Sequence, residues 1–131
     1  MPERKTMKRV RKAKREGKAP TTQAGEFVRE EIEHIRHGKH GARSTKQAIA
    51  IGLSKARRAG VKLPPPPKGR ASEKTRRSAE RSYQRGQGAV TGRPSAKRSR
   101  ATTKALKREG HRAASKKALS RQAHRGRRKT A

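Results

Sequence analysis

Nearly all the bulky apolar side chains of this chain fall in one stretch, and that distribution limits what can fold. Of the Val, Ile, Leu and Phe residues, all but Val10, Leu63, Val90, Leu106 and Leu119 lie between Thr21 and Val61. The acids Glu26, Glu30, Glu31 and Glu33 lie there too, whereas the segments on either side are polar and cationic. With 27% hydrophobic residues, 37% charged residues and a net charge of +31 over 131 residues, the chain lacks the apolar material for a core of its full length. The expected fold class is all-α. A small antiparallel helical hairpin over residues 21–63 is flanked by a basic arm at 1–20 and by a proline spacer and basic tail at 64–131, both arms largely disordered in isolation. The module is near the lower size limit for independent folding, because so few residues bury too little apolar surface to offset conformational entropy.

Within the module, Ala24, Phe27, Val28, Ile32 and Ile35 share one arc at 100° per residue, with Glu26, Glu30 and Glu33 opposite. This predicts a first helix from about Thr22 to His37, capped by Thr21 or Thr22 and stopped by Gly38. Glu31 projects near the apolar arc, where it is either an edge residue or the partner of a Lys or Arg on the next helix. The short link GKHGAR favours an antiparallel return, and S-T-K-Q at Ser44 to Gln47 matches a capping box opening a second helix, Thr45 to Ala59. The apolar arc of that helix is Ala48, Ile49, Ile51, Gly52, Leu53, Ala56 and Ala59. Glycine inside a helix costs about 1 kcal/mol, so Gly52 is best explained by close approach of the first helix, with Phe27 and Ile32 filling the gap. Residues 3–16 have helix formers but only Met7 and Val10 as sizeable apolar residues, which points to a helix formed on a phosphate backbone and broken by Gly17 and Pro20. The prolines 64–67 form a stiff extended spacer. Pieces of the tail, Ser72 to Arg85, Thr103 to Glu109 and Ala113 to His124, are expected to turn helical when bound.

The charge selects the partner. Self-repulsion at a pI near 12 is relieved by a polyanion, and neither arm has the bulky apolar stripe an interfacial membrane helix needs. No apolar run approaches the ~18 residues of a membrane span, and the basic N-terminus lacks the apolar core of a secretory signal. Without cysteine, thiolate metal sites and disulfides are excluded. The expected setting is soluble and cytoplasmic. From Lys68 onward 22 Lys/Arg face only Glu73, Glu80 and Glu109, a composition like that of linker-histone tails.

Catalytic chemistry finds no support: there is no Asp, and the glutamates cluster on one helix face with no pocket to shift their pKa. His34, His37 and His40 recur every three residues, but His40 lies past Gly38, beyond the helix end. They read as histidines near the negative end of a helix, so no metal site and no cofactor is assigned. GKHGARSTK lacks the order of a Walker A loop, yet the helix start it leads into, flanked by Arg43 and Lys46, suits one backbone phosphate. Gly92-Arg93-Pro94 matches the core of a minor-groove hook without the basic residues that normally precede it. With Phe27 claimed by the core, only Tyr83 is left for base stacking.

These readings converge on a non-enzymatic, largely sequence-independent nucleic-acid-binding protein, histone-like and nucleoid-associated, acting by phosphate neutralisation, with DNA favoured over RNA. The candidate contacts are Arg43, Lys46, Lys55, Arg57, Arg58 and Lys62 in the module and Arg93, Lys97, Arg98 and Arg100 in the tail. Two alternatives stay open: a ribosome-associated or RNA-chaperone protein, and a helical interaction module that dimerises through Phe27, Ile49 and Leu53 or docks on an acidic partner. At QAGEFVREEIEHIRHGKHGARSTKQAIAIGLSKARRAGVKLPPPP the chain resembles a bacterial family of small basic proteins known only as a domain of unknown function, and KRSRATTKALKREG and SKKALSRQAHR in the tail look similar to it as well. The resemblance implies a bacterial cytoplasmic setting and assigns no activity, cofactor or site residue.

Overall fold

A computed structural model describes residues 3–88 and 96–130. Among these the chain forms six α-helices and no strand: α1 (Arg4–Arg15), α2 (Pro20–Arg36), α3 (Thr45–Arg58), α4 (Glu73–Gly86), α5 (Ala96–Arg108) and α6 (Lys116–Thr130), with a 3-10 turn at Arg112–Ala114. The all-α class is as the periodicity predicted. The helices divide into two compact units, residues 1–30 with 51–92 and residues 31–50 with 93–131, so the chain of α2 and of α3 passes from one unit to the other. This division by contact differs from the division by composition into arm, module and tail. Composition tracks bulky apolar residues, whereas the buried positions also include Thr6, Ala13, Thr45, Ala113 and Ala114.

In the first unit Val10, Ala24, Phe27, Ala56, Val61 and Leu63 form the core cluster, with Met7 and Leu53 packed against it. The segment around α1 is therefore built on protein rather than awaiting a phosphate backbone. Its buried stripe, Thr6, Val10 and Ala13, has the i, i+4, i+7 spacing of one helix face, but two of its three members are too small or polar to register as apolar. The acidic face of α2 is likewise not fully solvated: Glu30 is buried and accepts the Glu3 N–H at 2.6 Å, and Arg9 lies 3.9 Å from Glu26.

Pro20 opens α2 rather than breaking the chain. A proline at the first helical position loses an N–H that would have no partner there anyway, and the Thr22 and Gln23 N–H groups both reach the Ala19 carbonyl. Gly52 makes the close approach predicted for it. A Cβ at this position would lie 2.6 Å from Cα of Val28, so Val28, rather than the expected Phe27 and Ile32, is the residue that meets it. The end of α3 is covered by α4, whose Gly86 passes directly against the Arg57 carbonyl while the Ser54 and Ser82 hydroxyls meet at 3.2 Å. Prolines lack an N–H, so their carbonyls are acceptors without donors of their own. Arg57 Nη2 donates to Pro64 O and Arg76 Nε to Pro66 O, which tethers the extended segment to the unit.

In the second unit Ile32, Ile35, Ala42, Ala48, Ala113 and Ala114 are buried. The 3-10 turn is held from two sides: Arg36 Nε donates to the Ala114 carbonyl at 2.8 Å, and the Thr45 hydroxyl donates to that of Ala113. Gly41 and Ala42 donate their N–H groups to Leu106 O and Gly110 O. By contrast α5 buries none of its residues. Amide exchange should therefore protect Phe27 and Ile35 at least ~10²-fold more than the amides of α5, whose opening exposes little; equal protection would show that burial does not rank these helices.

Candidate nucleic-acid interface

Two helix starts form the centre of the second unit's cationic surface. Ser44 precedes α3 and its Oγ accepts the Gln47 N–H at 3.1 Å; Ser115 precedes α6 and its Oγ accepts the Ala118 N–H at 3.1 Å. The predicted capping box is present with one displacement, since the Gln47 side chain accepts from the Arg43 N–H rather than from that of Ser44. The first N–H groups of a helix lack intrahelical partners and carry the positive end of its dipole. Neither α3 nor α6 has an acid in its first turn to compensate, whereas α4 has Glu73.

The 3-10 turn brings these two starts to one cavity of about 520 Å³, because Thr45 and Arg36 grip its carbonyls directly ahead of Ser115. Lys46, Arg112, Lys117, Arg121 and Arg125 line the cavity together with Ser44, Ser115 and Gln122, and no acidic side chain is among the lining residues. Five cations around one concavity repel one another, and an anion between them reverses the sign of that interaction. The arrangement suits tetrahedral oxyanions approached by Lys and Arg and by free helix N–H groups.

Of the residues predicted from sequence, Lys46 lines this cavity. Arg43 is exposed one residue before Ser44, and Lys97, Arg98 and Arg100 are exposed on α5, where Arg100 with Lys104 and Lys107 borders a shallower depression of about 320 Å³. Lys55, Arg57, Arg58 and Lys62 belong to the first unit, whereas Arg43, Lys46, Lys97, Arg98 and Arg100 belong to the second. Lys62 and Arg58 are exposed and Lys55 is half-buried. Arg93, with the Gly92-Arg93-Pro94 motif, lies outside the described residues.

Arg57 corrects the sequence reading. Named among the candidate phosphate contacts, which need an exposed side chain, it is 7% exposed, and its guanidinium donates to the carbonyls of Leu63 and Pro64. Desolvation by burial lowers its pKa. It clamps the chain after α3 and is not presented to a ligand. Arg57→Met keeps most of the side chain's bulk and removes those donors; it should destabilise the fold by ~1–3 kcal/mol while leaving the salt dependence of nucleic-acid binding unchanged. A shallower salt slope with an unaltered thermal midpoint would return Arg57 to the interface.

The residues that composition alone did not single out are Arg112, Lys117, Arg121 and Arg125. A signal was present: Lys117, Arg121 and Arg125 recur at i, i+4, i+8, one face of a helix announced by Ser115. The histidines also depart from expectation. His40 lies beyond the end of α2, yet the following chain folds it back so that its Nε2 is 3.0 Å from Glu31 Oε2. Glu31 is fully buried, which removes the edge-residue reading, and it lies against His34 and His40.

No helix among the described residues is long and apolar enough to cross a membrane. No curated protein and no solved structure matches the chain. Residues 4–68, from the start of α1 to just past the proline run, match the model of the Family of unknown function (DUF6496), and the tail elements that looked similar to a basic family lie outside that segment.

Proposed function

We propose that the protein is a non-enzymatic nucleic-acid-binding protein that recognises phosphates with little regard to sequence, a histone-like role in a bacterial nucleoid, with duplex DNA as the favoured partner. The observation that carries this reading is the cavity at the starts of α3 and α6, lined by five cationic side chains and no acid. Burial supports it further. Phe27 is fully buried and Tyr83 half-buried, so ring stacking on bases contributes little, and affinity rests on phosphate contacts that position a protein without reading its sequence. The exposed cations of α5 add to the same field.

The test is the combined variant Lys46→Ala, Arg112→Ala, Arg121→Ala, assayed on duplex DNA across a salt series. Each lost phosphate contact lowers the slope of log K against log salt by ~0.9, so the slope should become shallower by about 2–3 with circular dichroism unchanged. A slope identical to that of the parent chain would remove the cavity from the interface.

A further inference from the structure

We propose that Glu31, His34 and His40 form a binding site for one divalent transition-metal ion, zinc by its donor set, that staples the loop after α2 to the helix. Glu31 and His34 stand three residues apart, hence on one face of α2. Gly38, with φ of 77°, turns the chain out of the helix through a conformation that side-chain-bearing residues rarely adopt, and His40 returns against that face. One ligand atom from each of the three residues lies within 4.8 Å of the others. Glu31 Oε2 is 3.0 Å from His40 Nε2, and Glu31 Oε1 is 3.8 Å from His34 Nδ1. Tetrahedral zinc with bonds of about 2.0 Å holds its ligand atoms about 3.3 Å apart, a spacing these distances bracket. The two rings meet edge to face, 82° between planes, so they do not stack.

Hydrogen-bond valence supplies an independent argument. His40 Nδ1 is 2.9 Å from the Gly41 carbonyl and its Nε2 is 3.0 Å from the Glu31 carboxylate, so both ring nitrogens face acceptors. A neutral imidazole has a single N–H. A carbonyl can only accept, so that hydrogen belongs on Nδ1, and the Nε2 lone pair then points at a carboxylate oxygen. A cation between them removes the conflict. A metal does so with the arrangement typical of ligating histidines, in which the distal nitrogen donates to a backbone carbonyl and fixes the tautomer. Burial shields the site: the Glu31 side chain is 0% exposed and the two imidazoles are 14% exposed, so the three ligand atoms are largely withdrawn from water.

Two imidazoles and one carboxylate, with no thiolate in the chain, select borderline ions of the zinc class over magnesium or calcium, which take all-oxygen sites. Water completes the fourth position. The bond would fix the loop whose Gly41 and Ala42 N–H groups hold Leu106 O and Gly110 O, so metal and tail are coupled within this unit. His37, exposed on the same loop, stands outside the set.

The full-length chain, stripped with a chelator, is titrated with Co²⁺ and with Zn²⁺. One equivalent of Co²⁺ should give the visible absorption of a four-coordinate site, one equivalent of Zn²⁺ should displace it, and the thermal midpoint should rise with either ion. His40→Ala should lower affinity at least ~100-fold, whereas His37→Ala and His124→Ala bind as the parent does. Because Glu31→Gln can disturb the fold, X-ray absorption of the zinc-loaded parent chain serves as a second measurement, with two imidazole nitrogens expected in the first shell. Absence of a one-equivalent endpoint overturns the proposal, and so does equal weakening by His37→Ala. A His40 ring doubly protonated by ¹⁵N NMR and unmoved by Zn²⁺ also overturns it, since a proton then occupies the place assigned to the metal.

Discussion

Between 50 and 200 mM salt the intact chain is expected to lose about 10³–10⁵ in affinity for duplex DNA, the loss that accompanies roughly 6–10 phosphate contacts through counterion release. With a net charge of +31 the chain has cations to spare for that number. Three duplexes of unrelated sequence, measured side by side, should bind within a few-fold of one another, because contacts to phosphate carry little base information. A shallow salt slope would sink the mechanism, and a strong preference for one duplex would transfer specificity to groups other than the cationic cavity. Tight binding to structured RNA with weak binding to DNA at equal salt would keep the electrostatics and favour a ribosome-associated or chaperone role. Hydrophobic self-association would show the opposite signature, since pairing through apolar surface persists in high salt while polyanion binding fades.

The largest effect on stability is expected at Gly52. Leucine there gains ~0.8–1 kcal/mol of helix propensity, so an exposed glycine would make the substitution stabilising. In the structure its Cβ would meet Val28 backbone atoms within 2.9 Å, and backbone cannot rotate aside as a side-chain tip can. Over-packing at such a contact outweighs the propensity gain, for a net loss of ~2–3 kcal/mol and a fall in Tm of about 10 °C or more. Gly52→Ala carries the same first clash with less bulk and should fall between. A rise in Tm for the leucine variant would place Gly52 away from α2.

How much of this was readable in the sequence depended on residue size. The bulky arc of Phe27, Ile32 and Ile35 gave α2 and its buried face, and the S-T-K-Q box gave the start of α3 to the residue. Gly52 was legible because a glycine inside a strong helix needs a reason. What periodicity could not weigh was the contribution of Thr6, Ala13, Ala113 and Ala114, each buried and each too small to stand out from a polar background. Arg57 was misplaced for a related reason. A helical wheel places a guanidinium by angle, but the carbonyls that claim it belong to Leu63 and Pro64, at the start of a proline run that supplies no N–H of its own. His40 was discounted because it lies beyond a helix end, although a glycine stop is also what allows a chain to double back.

The two units are interleaved along the chain, and this imposes an order of events. All the residues of the first unit have been synthesised once residue 92 exists, whereas residues 31–50 must wait for residues 93–131 before the second unit can close. During synthesis, then, the carbonyl acceptors of Ala113 and Ala114 do not yet exist when Arg36 and Thr45 emerge from the ribosome. Closure of the second unit spans residues 51–92, but the entropic penalty grows only with the logarithm of the intervening length. A nascent chain arrested near residue 92 carries every residue of the first unit and about a third of those of the second. In such a chain Lys46 has been made, while the four cations that share its cavity are still to come.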